Sequence, residues 1–406
     1  MTARIVAGIA LLGTLLGSAT VRGELLVFTD AEVRAIVRHG PWPQPALRDP
    51  SNRASGDEHA IALGQRLFFD ERLSANGAIA CGTCHVPAKA WTDGRQKAAG
   101  LAPLDRNAPS VVNAGLLRWF SWDGGADSLW AQALRAMLHP SEMGTSAQRV
   151  AERLRADREL ACLYETAFGA DALQRDDERV LVDSAKAIAA FVATLGSGRS
   201  AFDEFRDSLA RGEADVAARY PLPAQRGVRI FVGRGNCTIC HFGPSFTDGE
   251  FHDVGVPFMS GPGRVDAGRY EGIKRLRADP YNLLGKYSAD PSGASATKTR
   301  HVELQQANFG QFKTPSLRNV ELTAPYMHEG RYATLREVVL HYSDLDVERL
   351  HLHGEQLLRP LKLSPDEVDD LVAFLRTLTD PRANEIPKTS TVVAPCRRDA
   401  SLRSGE

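Results

Sequence analysis

Two pentapeptides carry the most specific chemistry in this chain: Cys81-Gly-Thr-Cys84-His85 and Cys237-Thr-Ile-Cys240-His241. Two thiols at this spacing can add across the two vinyl groups of one porphyrin, and a histidine at the next position then sits beneath the iron as an axial ligand. The spacing predicts two covalently bound haem c groups, attached through Cys81 and Cys84 and through Cys237 and Cys240. His85 and His241 are the expected iron ligands. Other chemistries also use paired cysteines. A thioredoxin-like redox pair needs a βαβ setting that the sequence does not show. A zinc site built from the two pairs does not require a histidine after each one. With 6 cysteines and 11 histidines in 406 residues, two chance matches are remote.

Cys162 and Cys396 are left over. In an exported protein they can form a disulfide that ties down the C-terminal tail; the alternative is two unpaired buried thiols.

Residues 1–23 read as a secretory signal peptide. Arg4 gives a short basic start, Ile5 to Gly17 is mostly apolar, and small residues follow at Gly17, Ser18, Ala19 and Gly23. The apolar run is too short for a bilayer core that needs roughly 20 residues. The expected location is the periplasm, which agrees with haem attachment outside the reducing cytosol. A net charge of -1 gives no basic surplus for nucleic acid, and 43% hydrophobic with 24% charged residues is an ordinary globular balance.

The elements that must position the two haem motifs form a degenerate repeat. Ala62-Leu-Gly64-Gln-Arg-Leu-Phe68 precedes the first motif, and Trp91-Thr-Asp-Gly94 follows it. Ala224-Gln-Arg-Gly227-Val-Arg-Ile-Phe231 and Phe246-Thr-Asp-Gly249 flank the second. The pattern predicts a mainly α fold: two cytochrome c-like helical domains related by duplication, one c-type haem each. The expected division is 24–210, 211–385 and a tail at 386–406 that is loose or clamped on the surface. Residues 180–210 and 364–378 show helical periodicity, and Ser364 with Glu367 makes a capping box. Residues 260–310, rich in Gly, Asp, Ser and charge, read as an irregular insertion.

Further motifs are Arg106-Asn-Ala-Pro-Ser110, Trp122-Asp-Gly124, Pro140-Ser-Glu-Met-Gly144, Thr314-Pro-Ser-Leu-Arg-Asn319 and Leu322-Thr-Ala-Pro-Tyr-Met-His-Glu-Gly330. With them, residues 55–380 resemble the bacterial di-haem cytochrome c peroxidase and MauG family. The resemblance implies that hydrogen peroxide reacts at the haem of His85. Some relatives close the opposite face with a second histidine shortly after the first motif. Here no histidine occurs between His85 and His139, and Gly100-Leu-Ala-Pro-Leu104 fills the stretch. The implied iron is five-coordinate and high-spin. Glu142 matches the family's catalytic glutamate, which moves a proton from one peroxide oxygen to the other. Gln132 matches its polar companion, and Ala136 stands where relatives often carry proline. Trp122 matches the tryptophan that relays charge between the haems. Asn107, Thr323 and Pro325 match the ligands of one calcium ion, which suits oxygen donors.

The segment Thr334-Leu-Arg-Glu-Val-Val-Leu-His-Tyr342 places Tyr342 where the peroxidase branch has a methionine ligand and MauG-type enzymes have tyrosine. Methionine raises a haem potential, whereas a hard phenolate favours oxidised iron. His341, Met327 and His328 are weaker candidates for this ligand. Gly235 stands where MauG carries the surface tryptophan that meets its protein partner, so partner or route differs. The implied activity is a MauG-like oxidoreductase acting on hydrogen peroxide. Its electron donor would be an exported protein, a small c-type cytochrome or a cupredoxin. The alternatives are a conventional cytochrome-c peroxidase and a non-enzymatic carrier with both irons six-coordinate.

Overall fold

The computed structural model of the chain describes residues 23–256, 259–261, 263–349, 358–386 and 396. The main helices are α1 (Asp30–Val37), α2 (Glu58–Phe68), α3 (Leu129–Leu138), α4 (Ala147–Ala156), α5 (Arg158–Phe168), α6 (Asp177–Val192), α7 (Ala201–Arg211), α8 (Leu222–Val232), α9 (Arg269–Ala278), α10 (Ala294–His301), α11 (Leu335–Ser343) and α12 (Pro365–Arg376). Side-chain caps start many of them, including Asp57 on α2, Ser128 on α3, Thr334 on α11 and Ser364 on α12. The short strands are β1 (Phe251–His252), β2 (Met259–Gly261), β3 (Arg264–Val265) and β4 (Phe312–Lys313). Among the described residues they form two antiparallel pairs, β1 with β4 and β2 with β3. The mainly helical expectation is met.

Each haem motif follows a helix that crosses another at a glycine. A Cβ on Gly64 of α2 would lie 1.9 Å from the carbonyl oxygen of Ala187 in α6, and one on Gly227 of α8 would lie 2.0 Å from that of Asp370 in α12. Only glycine lets these backbones approach so closely. Four residues beyond each glycine a phenylalanine locks the crossing: Phe68 meets Phe191 with ring centroids 5.4 Å apart, and Phe231 meets Phe374 at 5.0 Å. Both are almost fully buried, and truncating such a side chain to alanine typically costs about 3–5 kcal/mol. The duplication thus reaches further than the haem motifs. It includes Ala190-Phe191-Val-Ala-Thr194-Leu195 and Ala373-Phe374-Leu-Arg-Thr377-Leu378.

Two apolar clusters hold the chain. The first gathers α2 to α6 around Trp91 and Trp130, and takes in Leu283, Tyr287 and Ala296 from the 260–310 segment. The second gathers α8, α11 and α12 around Phe231, Phe246 and Phe374. Ile36 of α1 and Phe202 and Phe205 of α7 pack in this second cluster, although they precede residue 210. The amino-terminal strand of chain is fixed there by Gln225, which accepts from Leu26 N at 2.8 Å and donates to Glu24 O at 2.8 Å.

Two expectations change. The periodic stretch 180–210 is not one helix: α6 ends at Val192 and α7 begins at Ala201. Gly196 and Gly198 favour the break, and a Ser200/Asp203 capping box restarts the helix. The 260–310 segment is not merely irregular, because it contains α9 and α10. Its pattern escaped notice because the buried face of α9 includes Arg269, only 4% exposed. That guanidinium lies over the rings of Trp119 and Phe251 at 4.3 and 4.0 Å. Cys162 of α5 is disulfide-bonded to Cys396, with a Cα–Cα distance of 5.7 Å. Of the two readings for these cysteines, the structure has the pair. The expected signal peptide lies outside the described residues except for Gly23. Among the described residues no helix is long and apolar enough to cross a membrane.

Candidate functional site

The two histidines are held alike. His85 Nδ1 lies 3.1 Å from the carbonyl oxygen of Trp91, and His241 Nδ1 lies 2.9 Å from that of Phe246. A carbonyl can only accept, so Nδ1 carries the proton in each ring and Nε2 keeps its lone pair for iron. Trp91 and Phe246 have positive φ values of 61° and 52°. A left-handed conformation costs a bulky residue roughly 1–2 kcal/mol, and here it turns the carbonyl back onto the histidine. The helix before each motif braces that aromatic ring: Phe68 meets Trp91 edge-on at 5.9 Å, and Phe231 meets Phe246 edge-on at 5.9 Å.

The four thiols of the motifs are free of disulfides. Burial pushes Cys81 and Cys237 up to about 12 and Cys84 up to about 11. Redox Cys-x-x-Cys pairs need the opposite, a thiol lowered toward neutrality. Such buried thiols suit porphyrin attachment.

Beyond the first motif, α3 and the turn after it carry Gln132 and Glu142. The Gly100–Leu104 stretch is tied to this turn: Leu101 N donates to Glu142 O at 3.0 Å and Ala102 N to Ser141 O at 3.1 Å. A Cβ on Gly100 would come within 2.7 Å of Glu142 Cα. The half-buried carboxyl of Glu142 is raised by burial, while His139 and Arg135 pull it back down. His139 Nδ1 lies 3.9 Å from Glu142 Oε1. The charge of the carboxylate in turn raises both Cys81 and Cys84, after burial. Gln132 Oε1 is buried without a hydrogen-bond partner among the described residues. An amide oxygen stranded in this way fits a site built for another polar molecule.

The second motif opens onto a cavity of about 390 Å³ whose walls include Cys237, Cys240, His241, Trp122, Lys313, Val338 and Tyr342. Burial, with Cys240 and Cys237 adding to it, raises the Tyr342 phenol above its ordinary range. His341 is engaged elsewhere, with Nε2 2.7 Å from Val254 O and Nδ1 3.0 Å from the Tyr332 hydroxyl. His328 is stacked on Phe312 at 3.5 Å. The Lys313 ammonium has no hydrogen-bond or ion-pair partner among the described residues, and burial pushes it down to about 8 against the pull of Asp123. An apolar cavity flanked by two thiols, with one unpaired ammonium, fits a porphyrin with carboxylate tails.

Trp122 joins the halves. It lines the same cavity, and its Nε1 donates to Asn107 O at 2.9 Å. The next residue, Asp123, is fully buried. Burial alone would raise its carboxyl, but Arg106, Arg135 and Arg275 outweigh burial and hold it far below the carboxylate range. Arg106 also grips Asp266 at 2.6 Å, and Arg269 Nη1 donates to Gly124 O at 2.9 Å. Asp266, Arg269 and Arg275 come from the 260–310 segment. That segment therefore clamps the Trp122 turn, a role the sequence reading missed. Its only hint was charge density, which surface helices share. Asn107, Thr323 and Pro325 lie on the wall of the large cavity. Asn107 Nδ2 donates to Arg95 O at 2.8 Å, and its Oδ1 has no protein donor among the described residues.

Known proteins resemble this chain in sequence and fold. Residues 58–211 match the family described as di-haem cytochrome c peroxidase. The chain is 37% identical over 331 residues to the methylamine utilization protein MauG of Methylorubrum extorquens, covering 81% of this chain and 80% of that protein. It is 32% identical over 342 residues to the cytochrome-c peroxidase IdrP2 of Pseudomonas sp. (strain SCT), covering 82% and 85%. The crystal structure of a MauG-like protein associated with microbial copper homeostasis aligns with a TM-score of 0.66 at 28% identity, covering 86% of this chain and 97% of that one. The chain belongs to the family of MauG and the di-haem cytochrome c peroxidases, and is an oxidoreductase of the MauG-like type that acts on peroxide with two haem c groups.

Proposed function

We propose that hydrogen peroxide reacts on the His85 side, beside Glu142 and Gln132, and that the His241 side is closed by Tyr342 and shares the oxidising equivalents. The haem at each site supplies the redox chemistry. Glu142, as carboxylate, takes a proton from one peroxide oxygen and returns it to the other, so that water can leave. Its burial raises its proton affinity toward working pH, which suits a group that must both accept and donate. The Gln132 amide orients the peroxide through the oxygen that lacks a protein partner. Trp122, fixed through Nε1 to Asn107, relays charge between the halves. Asn107 Oδ1 with the carbonyls of Thr323 and Pro325 holds one calcium ion where the halves meet.

The observation that carries this reading is the asymmetry: a buried phenol shares a cavity with His241, while a carboxyl and an unpaired amide attend the His85 motif. A tyrosine ligand favours the MauG-like mode over a conventional cytochrome-c peroxidase. Residues 1–23 direct export to the periplasm, where the donor is an exported protein, a small c-type cytochrome or a cupredoxin. Gly235 leaves no tryptophan beside the second motif, so the route to that donor differs from that of MauG. Residues 24–210 and 211–385 supply most of the peroxide-reactive and electron-sharing units respectively, with α1 and α7 packed on the second and part of the 260–310 segment packed on the first.

The test is electron paramagnetic resonance of the ferric protein before and after one equivalent of hydrogen peroxide. One high-spin and one low-spin signal are expected, with the high-spin signal lost on addition. Two low-spin signals indifferent to peroxide would leave only an electron carrier. Rapid turnover with reduced cytochrome c would favour the conventional peroxidase.

A further inference from the structure

The duplication continues past the haem motifs in a region that differs between the halves in function. Asn107-Ala-Pro-Ser-Val-Val-Asn113 and Lys313-Thr-Pro-Ser-Leu-Arg-Asn319 share Pro-Ser-x-x-Asn. From there the two halves keep one constant offset. Asn113 and Asn319 both have φ of 62°, and their N–H groups donate to Leu195 O and Leu378 O, themselves counterparts. Phe120 bridges to Ala126 as Tyr326 bridges to Tyr332. Inside these bridges Ser121 and Met327 have φ of 63° and 71°, and Gly124 and Gly330 both have 63°. Ser128 then caps α3, and Thr334 caps α11 in the same extended conformation. No insertion or deletion separates the copies, so each residue of α3 has a counterpart in α11.

This register pairs Gln132 with Val338 and Ala136 with Tyr342. Residues four apart share one helix face. On α11 that face, with Val338 and Tyr342, lines the cavity of His241. On α3 the same face carries Gln132, with its unpaired Oε1, and the methyl group of Ala136.

We propose that Ala136 is the residue that keeps the His85 haem accessible, because it occupies the place from which Tyr342 closes the other half. A methyl group has no lone pair to offer iron and leaves room beside Gln132 for a small ligand. The fold builds the same distal helix twice, and at this one helix position one copy supplies a ligand while the other leaves room for a substrate. The proposal rests on the reading that His85 and Tyr342 face iron.

The experiment uses the purified holoprotein with haem content checked. Ala136→His and Ala136→Tyr should convert the high-spin ferric signal of the first haem to that of an iron with a side-chain sixth ligand. They should also weaken cyanide binding by about 100-fold, as a tethered competing donor does. Ala136→Leu, which adds bulk without a donor, should keep the high-spin signal. Tyr342→Ala should yield a second high-spin haem and a second cyanide site. If Tyr342→Ala changes the second haem while both donor variants at 136 retain the wild-type signal and cyanide affinity, this inference is overturned and the proposed function survives. If Tyr342→Ala leaves the second haem unchanged, the reading beneath both is wrong.

Discussion

Lys313 donates its main-chain N–H to the carbonyl oxygen of Trp122 at 2.8 Å. The counterpart bond runs the other way: Asn107 N donates to His328 O, also at 2.8 Å. Asn107 and Lys313 are equivalent positions of the duplication, as are Trp122 and His328. The halves therefore clasp each other through a reciprocal pair of bonds, and Trp122 sits in the clasp. Its carbonyl, its indole N–H and its neighbour Asp123 are all anchored.

Trp122→Phe tests what that anchoring serves. A smaller phenyl ring takes the place of the indole, and Asn107 O loses its donor, a change worth about 1–3 kcal/mol when the acceptor stays buried. Both haems should load. Oxidation of the second haem after peroxide addition, followed by stopped-flow absorbance, should slow by at least about tenfold, since phenylalanine is far harder to oxidise than indole. An unchanged rate would mean that charge crosses by another path.

Glu142→Gln should slow peroxide cleavage by about 100-fold with both haems intact. The pH profile gives a finer test. The reactive form is the carboxylate, so the rate should fall as pH drops through the Glu142 pKa. Burial raises that pKa, which places the acid limb above the range of an ordinary glutamate. His139 and Arg135 oppose burial, so His139→Gln should move the limb to still higher pH. A limb that does not move would separate His139 from the proton chemistry.

The haem motifs were legible because covalent attachment tolerates almost no variation in spacing. The Phe68/Phe231 and Trp91/Phe246 correspondences could be read because Gly-x-x-x-Phe precedes each motif and Thr-Asp-Gly follows each aromatic. The rest of the duplication was hidden by geometry in the sequence itself. In the second half the 260–310 segment intervenes between the haem motif and Lys313, so Pro-Ser-x-x-Asn no longer falls at the expected distance. Ala190-Phe191 and Ala373-Phe374 likewise resemble any buried helix until Gly64 and Gly227 are seen packed against them. The Asp123 cluster was beyond reach, because its arginines come from three separate segments.

Gly227→Ala probes one crossing. The new Cβ would lie 2.0 Å from a backbone oxygen of Asp370, which cannot swing aside as a side chain could. The cost should exceed about 3 kcal/mol, at the upper end for overpacking. A lowered thermal midpoint is expected, together with loss of the second haem in preference to the first. Gly64→Ala should reverse that preference. Equal loss of both haems in each variant would show that the two crossings do not support their motifs separately.

Tyr342→Met tests the phenol as ligand through the second haem's potential. Burial disfavours the charged phenolate, so the proton should leave only when iron's charge compensates. Ferric iron does this better than ferrous, and reduction should then take up a proton. The wild-type potential should fall by up to about 59 mV per pH unit, the one-electron slope for a tenfold change. Methionine is neutral and soft, so the variant should have a higher potential with that slope lost. Spectroelectrochemical titration at several pH values reads both effects. If neither the potential nor its slope changes, the group that closes the His241 site is not Tyr342.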